Sequence, residues 1–300
     1  MYYDREEGTD LQMYSPLRYP GGKSRLASFI GQSIRNLDIP NCTYIEPFAG
    51  GAGVALSLLL NGTVKKIVIN DYDKAVYSFW RAVKQDSKKL IEKIKYTPIT
   101  IEEWHKQKEI YSGASSYSVE LAFATLFLNR TNRSGILTAG PIGGYSQAGE
   151  WKLDVRFDRD ALISKIMAIS EKSKNIFVYN KDIISLLKNY VPQFGENAFI
   201  YFDPPYYKKG QKLYKNFFTP SDHQRIRDVI TKEIGVPWII TYDDVTAISE
   251  LYADYEIKKF DLTYSAANKG TASELMIFSD IGFCPTAEQM NKKKININFR

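Results

Sequence analysis

Asn197-Ala198-Phe199-Ile200-Tyr201-Phe202-Asp203-Pro204-Pro205-Tyr206 is an apolar run that closes on a carboxylate, two prolines and a tyrosine. Its β-rich, nearly uncharged first half suits a strand at the centre of a parallel sheet, where helices cover both faces. Proline cannot donate to a sheet ladder, so Pro204 and Pro205 end the pairing and set a rigid turn at the strand's carboxyl end. Open α/β sheets place their chemistry at that end. The turn gathers the Asp203 carboxylate, a prolyl carbonyl with no helix to serve and the ring of Tyr206. Two acceptors and an aromatic lid fit a planar exocyclic amine, which offers two N–H donors and a π face.

Outward from this strand, the same pattern recurs. Thr43 to Glu46 reads as a strand running into Pro47-Phe48-Ala49-Gly50-Gly51-Ala52-Gly53, a glycine-rich turn, and then into the apolar helix Val54 to Leu60. Lys65 to Asn70 reads as a second strand with Asp71 at its end, about twenty residues beyond the glycines, where an acid can accept from ribose hydroxyls. Leu56 stands where a dinucleotide fingerprint would need its third glycine. Ile176 to Tyr179, ending in Asn180-Lys181-Asp182, and Trp238 to Tyr242 continue the sheet. Tyr255–Leu262 and Glu274–Ser279 are separated by too short a connection for a helical crossover, which predicts an antiparallel hairpin.

Between residues 85 and 175 the pattern is helical, with an irregular stretch from Arg130 to Phe157. The chain thus divides into a discontinuous catalytic domain, 14–84 with 176–300, and an inserted helical target-recognition subdomain, 85–175. Near the amino end, Leu17-Arg18-Tyr19-Pro20-Gly21-Gly22-Lys23-Ser24 forms a loop that opens a helix. The first glycine of a phosphate-binding loop is missing, because Tyr14-Ser15-Pro16-Leu17 precedes, and no strand leads in.

The 300 residues carry a net charge of +6 and an isoelectric point near 9.0, which favours a polyanionic partner. Cys42 and Cys284 are the only cysteines, too few for a disulfide framework or a zinc cluster, so a reducing, cytoplasmic setting is expected. No apolar run has membrane-spanning length. With only His105 and His223 available, metal hydrolysis and Ser-His-Asp chemistry fit poorly, and neither metal nor membrane is expected. Such a site needs a reactive cofactor.

Taken together, the proline-glycine loop, Phe48 to Gly53, Asp71 and Asp203-Pro204-Pro205-Tyr206 resemble the S-adenosylmethionine-dependent amino-methyltransferases of nucleic acids. Their order along the chain, with Phe127-Leu128-Asn129-Arg130 inside the helical insert, is similar to that of the Dam-type (class alpha) DNA adenine N6-methyltransferase family. That resemblance implies a Rossmann-like, mostly parallel α/β sheet with a C-terminal antiparallel hairpin. It also implies S-adenosyl-L-methionine as cofactor and double-stranded DNA as partner. Tyr19, Lys23, Phe48, Gly50, Gly51, Gly53, Asp71, Asp182 and Asp203 would line the cofactor pocket. Asp203, Pro204, Pro205 and Tyr206 would hold a flipped adenine and carry the transfer.

The chain departs from the family after Asn129, where Thr131 to Leu137 leads into Gly140-Pro141-Ile142-Gly143-Gly144-Tyr145, a stretch that does not align residue by residue with a GATC reader. Arg130, Asn132 and Arg133 there suit base edges. Arg18 is a further candidate for DNA contact, and the lysines Lys208, Lys209, Lys212 and Lys215, interleaved with aromatics, suit phosphates. Cytosine N4, RNA adenine or a glutamine amide would offer a similar amine. A catalytically silent DNA-binding homologue would keep the fold without the chemistry.

Overall fold

The computed structural model describes residues 14–18, 23–207, 218–264 and 270–300. Seven strands form one sheet: β1 (Thr43–Glu46), β2 (Lys66–Asn70), β3 (Ile176–Tyr179), β4 (Ala198–Phe202), β5 (Trp238–Asp243), β6 (Glu256–Tyr264) and β7 (Gly270–Phe278). Their order is β3-β2-β1-β4-β5-β7-β6. The first five are parallel, whereas β7 runs antiparallel between β5 and β6. The expected hairpin is present, and its second strand inserts beside β5. Chain order reverses between β1 and β4, which opens a crevice at their carboxyl ends.

Alternation along each strand explains why both faces are covered. Tyr44, Ile67, Phe199, Tyr201, Ile239 and Met276 join one apolar core with helices α1 (Ala27–Asn36), α2 (Gly53–Leu60) and α3 (Lys74–Gln85). Ile45, Val68, Ile200, Phe202, Ile240 and Leu275 face the other way, onto the helix Pro220–Glu233 through Ile226, Val229 and Ile230. Thr219 and Pro220 start that helix: the Thr219 side chain accepts from the Asp222 N–H in a reciprocal capping box, with proline in the first turn.

Between α3 and β3 the chain forms α4 (Ser87–Tyr96), α5 (Ile101–Gly113), α6 (Val119–Thr131) and α7 (Arg159–Glu171). From Leu121 to Asn129 every residue of α6 is buried, the signature of a helix apolar all round and wrapped on every side. Leu126, Phe127, Leu90 and Ile166 extend the core that covers the first face of the sheet. These helices are therefore packed onto the sheet through a continuous apolar interior. No helix among the described residues is long and apolar enough to cross a membrane.

Candidate active site at the carboxyl ends of the sheet

Backbone geometry builds the glycine turn. Gly50 has φ +46° and Ala52 has φ +48°, so the chain takes two left-handed residues between β1 and α2, and glycine carries the first without steric cost. Gly50 is then fixed from both sides: its N–H donates to Asp71 Oδ2 at 2.9 Å, and its carbonyl accepts from Trp80 Nε1 at 2.8 Å. Asp71 Oδ1 accepts from the Asp73 N–H at 2.9 Å. Each carboxylate oxygen still has acceptor capacity for a hydroxyl, which is what a ribose diol requires. Burial pushes the Asp71 carboxyl up to about 7, against the pull of its two N–H donors.

Asp182 lies at the end of β3 and caps the next helical turn, its Oδ1 accepting from Ser185 N at 3.0 Å. Gly51 is buried in the turn and Gly53 opens α2. Phe48 meets Phe218 edge-on at 5.9 Å. Tyr207 and Phe218, which flank the basic loop, both pack on His223, at 5.1 Å and 5.5 Å. Tyr207 and Phe218 therefore stand together near the glycine turn. Tyr19, Lys208, Lys209, Lys212 and Lys215 lie outside the described residues.

At the other side of the crevice, Lys23 is buried and donates to Asp203 Oδ1 at 3.0 Å, to Glu274 Oε2 at 2.5 Å and to Thr241 Oγ1 at 3.4 Å. Thr241 also donates to Asp203 Oδ1 at 3.0 Å. Both contacts fall on one oxygen of Asp203, whose side chain keeps 24% of its surface accessible. Burial and Glu274 push the Asp203 carboxyl above its ordinary range, with Lys23 and Thr241 opposing. Burial alone would lower the Lys23 ammonium, yet Asp203 and Glu274 hold it above its usual value. Pro204 is buried and Pro205 half-buried, and Tyr206 closes the turn with its hydroxyl donating to Glu274 Oε1 at 2.8 Å.

Sequence reasoning overlooked Glu274, Thr241, Asn70 and Glu46. Glu274 had a visible signal, a lone charge heading the apolar run Leu275 to Phe278. Because β7 is antiparallel, with Asp243 opposite Glu274, its early residues reach the carboxyl ends of the parallel strands. Asn70 is buried and joins three loops, donating to the Pro47 and Lys181 carbonyls and accepting from the Lys181 N–H. Glu46 accepts from the Ala55 N–H at 3.1 Å, and burial pushes it up to about 8.

Two side chains expected at base edges, Asn132 and Arg130, are turned into the fold. Asn132 is fully buried; its oxygen accepts from Trp104 Nε1 at 2.7 Å, and its amide donates to the Ile136 and Leu137 carbonyls at 2.9 Å and 3.1 Å. Those bonds use both donors inside the fold, so Asn132 shapes the turn and presents nothing to a base edge. Arg130 is also turned inward, donating through Nε at 2.7 Å and through Nη2 to the Pro16 carbonyl. Burial, with Arg18 and Arg156 nearby, pushes its guanidinium down to about 10. Arg133 is exposed. Asn129, not singled out as a contact residue, brackets Arg18: it accepts from the Arg18 N–H and donates to the Arg18 carbonyl, both at 2.7 Å.

A doubly wound sheet with these loops at its switch point is a framework that holds ligands in the crevice at its strand ends. The model of the D12 class N6 adenine-specific DNA methyltransferase family matches residues 19–266, most of the chain, and the protein belongs to that family. It is similar to the Type II methyltransferase M.MjaIII of Methanocaldococcus jannaschii, 27% identical over 204 residues, or 63% of this chain and 68% of that protein. The Type II methyltransferase M1.LlaDCHI of Lactococcus lactis subsp. cremoris is 23% identical over 256 residues, or 78% and 85% of the two chains. Among solved structures, the rRNA methyltransferase aviRa of Streptomyces viridochromogenes covers 92% of this chain and 94% of its own at 13% identity, with a TM-score of 0.41.

Proposed function

We propose that the protein transfers a methyl group from S-adenosylmethionine to the N6 amine of an adenine flipped out of double-stranded DNA, at specific sites. The carrying observation is the Asp203 carboxylate, held by Lys23 and Thr241 through one oxygen while part of the group faces the crevice. S-adenosylmethionine, when bound, supplies an activated methyl group. Asp71 and Asp182, with Phe48 and the Gly50–Gly53 turn, fit its ribose and adenine, because the Asp71 oxygens retain acceptor capacity beyond Gly50 and Asp73.

The adenine amine is a weak nucleophile because its lone pair is delocalised into the ring. Asp203 accepts one amine proton in a hydrogen bond and the Pro204 carbonyl accepts the other, which localises the lone pair on nitrogen. Tyr206 covers the face of the base. The new N–C bond would replace the methyl C–S bond of the bound sulfonium, leaving a neutral thioether, and the nitrogen would carry positive charge until one amine proton passes to solvent. The Asp203 and Glu274 carboxylates around the Lys23 ammonium would oppose that charge. Arg18 and Arg133, with Lys208, Lys209, Lys212 and Lys215, supply cations toward DNA. The test is in vitro methylation of plasmid DNA with labelled cofactor, followed by digestion to nucleosides. Labelled N6-methyladenine is expected; label in N4-methylcytosine, or none in DNA, overturns the reading.

A further inference from the structure

Tyr206 and Lys23 are both tied to a single side chain on the antiparallel strand. Glu274 is 2% exposed. Its Oε1 accepts from the Tyr206 hydroxyl at 2.8 Å, and its Oε2 accepts from Lys23 at 2.5 Å. Lys23 in turn sits 5.4 Å from the centre of the Tyr206 ring, within cation–π range. One carboxylate thus fixes the tip of the ring and also the cation that grips Asp203.

We propose that Glu274 is a positioning residue that sets the plane of Tyr206 and the place of Asp203 together, so that base stacking and amine acceptance are aligned by one group. This rests on the methyl-transfer reading above. A tyrosine on a turn after two prolines has a fixed backbone but a free ring torsion, and a hydrogen bond at the far end of the ring removes that freedom. The other oxygen draws Lys23 back against Asp203 Oδ1, which leaves Oδ2 for the substrate. β7 suits the task because it is held by β5 on one side and β6 on the other. Stacking alone would make Tyr206→Phe nearly silent. The buried hydroxyl contact makes it costly.

The experiment compares wild type, Y206F, E274Q, E274A and the double variant Y206F/E274A in single-turnover methylation of plasmid DNA, with cofactor affinity followed by calorimetry. Y206F is expected to lose roughly tenfold in the transfer rate, and E274A more because it also releases Lys23, with KM for DNA and cofactor affinity little changed. E274Q should fall between, since one amide oxygen cannot serve both donors. The double variant should match E274A, because both changes cut the same bond. Losses that multiply, or a Y206F enzyme at wild-type rate, overturn the proposal. Should E274A fail to fold, Y206F, which leaves the Lys23 pairing intact, decides by the same criterion. A wild-type enzyme that makes no N6-methyladenine would sink the underlying reaction instead, a result read before any variant is compared.

Discussion

Two clusters of polar side chains, one around Lys23 and one around Arg18, have opposite chemistry. At the strand ends, charge answers charge: Lys23 is held by Asp203 and Glu274. At the end of α6, Asn129, Arg130 and Asn132 direct their donors chiefly to the backbone carbonyls of Arg18, Gly135, Pro16, Ile136 and Leu137. A buried ion cluster is costly unless its geometry is good, and it retains a field that can act on a substrate. Amides and guanidinium groups bonded to carbonyls instead freeze loop shape. In the proposed reaction the first cluster acts on the substrate, whereas the second fixes the backbone at residues 16, 18 and 135–137. Gly135 makes the second point sterically, since a Cβ there would lie 2.8 Å from the Arg18 carbonyl oxygen.

The largest expected effect breaks the first cluster. Asp203→Asn keeps shape but turns an acceptor into a group that also donates, so transfer should fall by roughly a hundredfold or more. Circular dichroism should show a retained fold. A rate within tenfold of wild type in a labelled-methyl assay would place the amine acceptor elsewhere.

The second cluster should fail differently. Asn132→Ala strands the Trp104 N–H and two carbonyls in the interior, a loss of about 2–5 kcal/mol in unfolding free energy. Denaturant unfolding measures it, and the protein that stays folded should keep its site preference. A changed preference at unchanged stability would return Asn132 to the DNA-reading set.

This contrast also explains what was legible in the chain. The parallel strands, the glycine turn and the Asp203 turn are local patterns, in which strand period and proline placement already fix the backbone. Lys23 was legible as a site residue, but its buried partners Glu274 and Thr241 come from strands 251 and 218 residues away, and no local spacing reports such a meeting. Asn132 was misread for a related reason. Its composition suits a base edge, and only the long-range contact with Trp104 reveals that it is enclosed.

Arg133 sharpens the same division on the DNA side. It is exposed, three residues after the inward-facing Arg130. Arg133→Ala should change stability by less than about 0.5 kcal/mol. It should relax which sites are methylated by about 1–3 kcal/mol of discrimination. Methylation profiles over a random-sequence library would show this, and an unaltered profile would assign recognition to another part of the molecule.

The smallest effect tests whether the reactive rim is as titratable as its burial implies. Asp71 is pushed up to about 7 mainly by burial, with Asp73 adding, while the Gly50 and Asp73 N–H groups pull it down. Below that value its carboxyl is protonated, and ribose hydroxyls then lose a charge-assisted acceptor, the stronger kind of hydrogen bond. A nucleoside with an intact ribose should therefore bind more weakly at pH 6 than at pH 8, by about threefold to tenfold, and reach a plateau above pH 8. 5′-Methylthioadenosine is a suitable probe because it lacks the amino-acid groups of the cofactor, which titrate in their own right. Asp71→Asn should bind it weakly at every pH with no slope. Glu46, pushed up to about 8 by burial, titrates nearby, so a slope that survives in Asp71→Asn and disappears in Glu46→Gln would move the pH-sensitive group from the ribose acceptor to the end of β1.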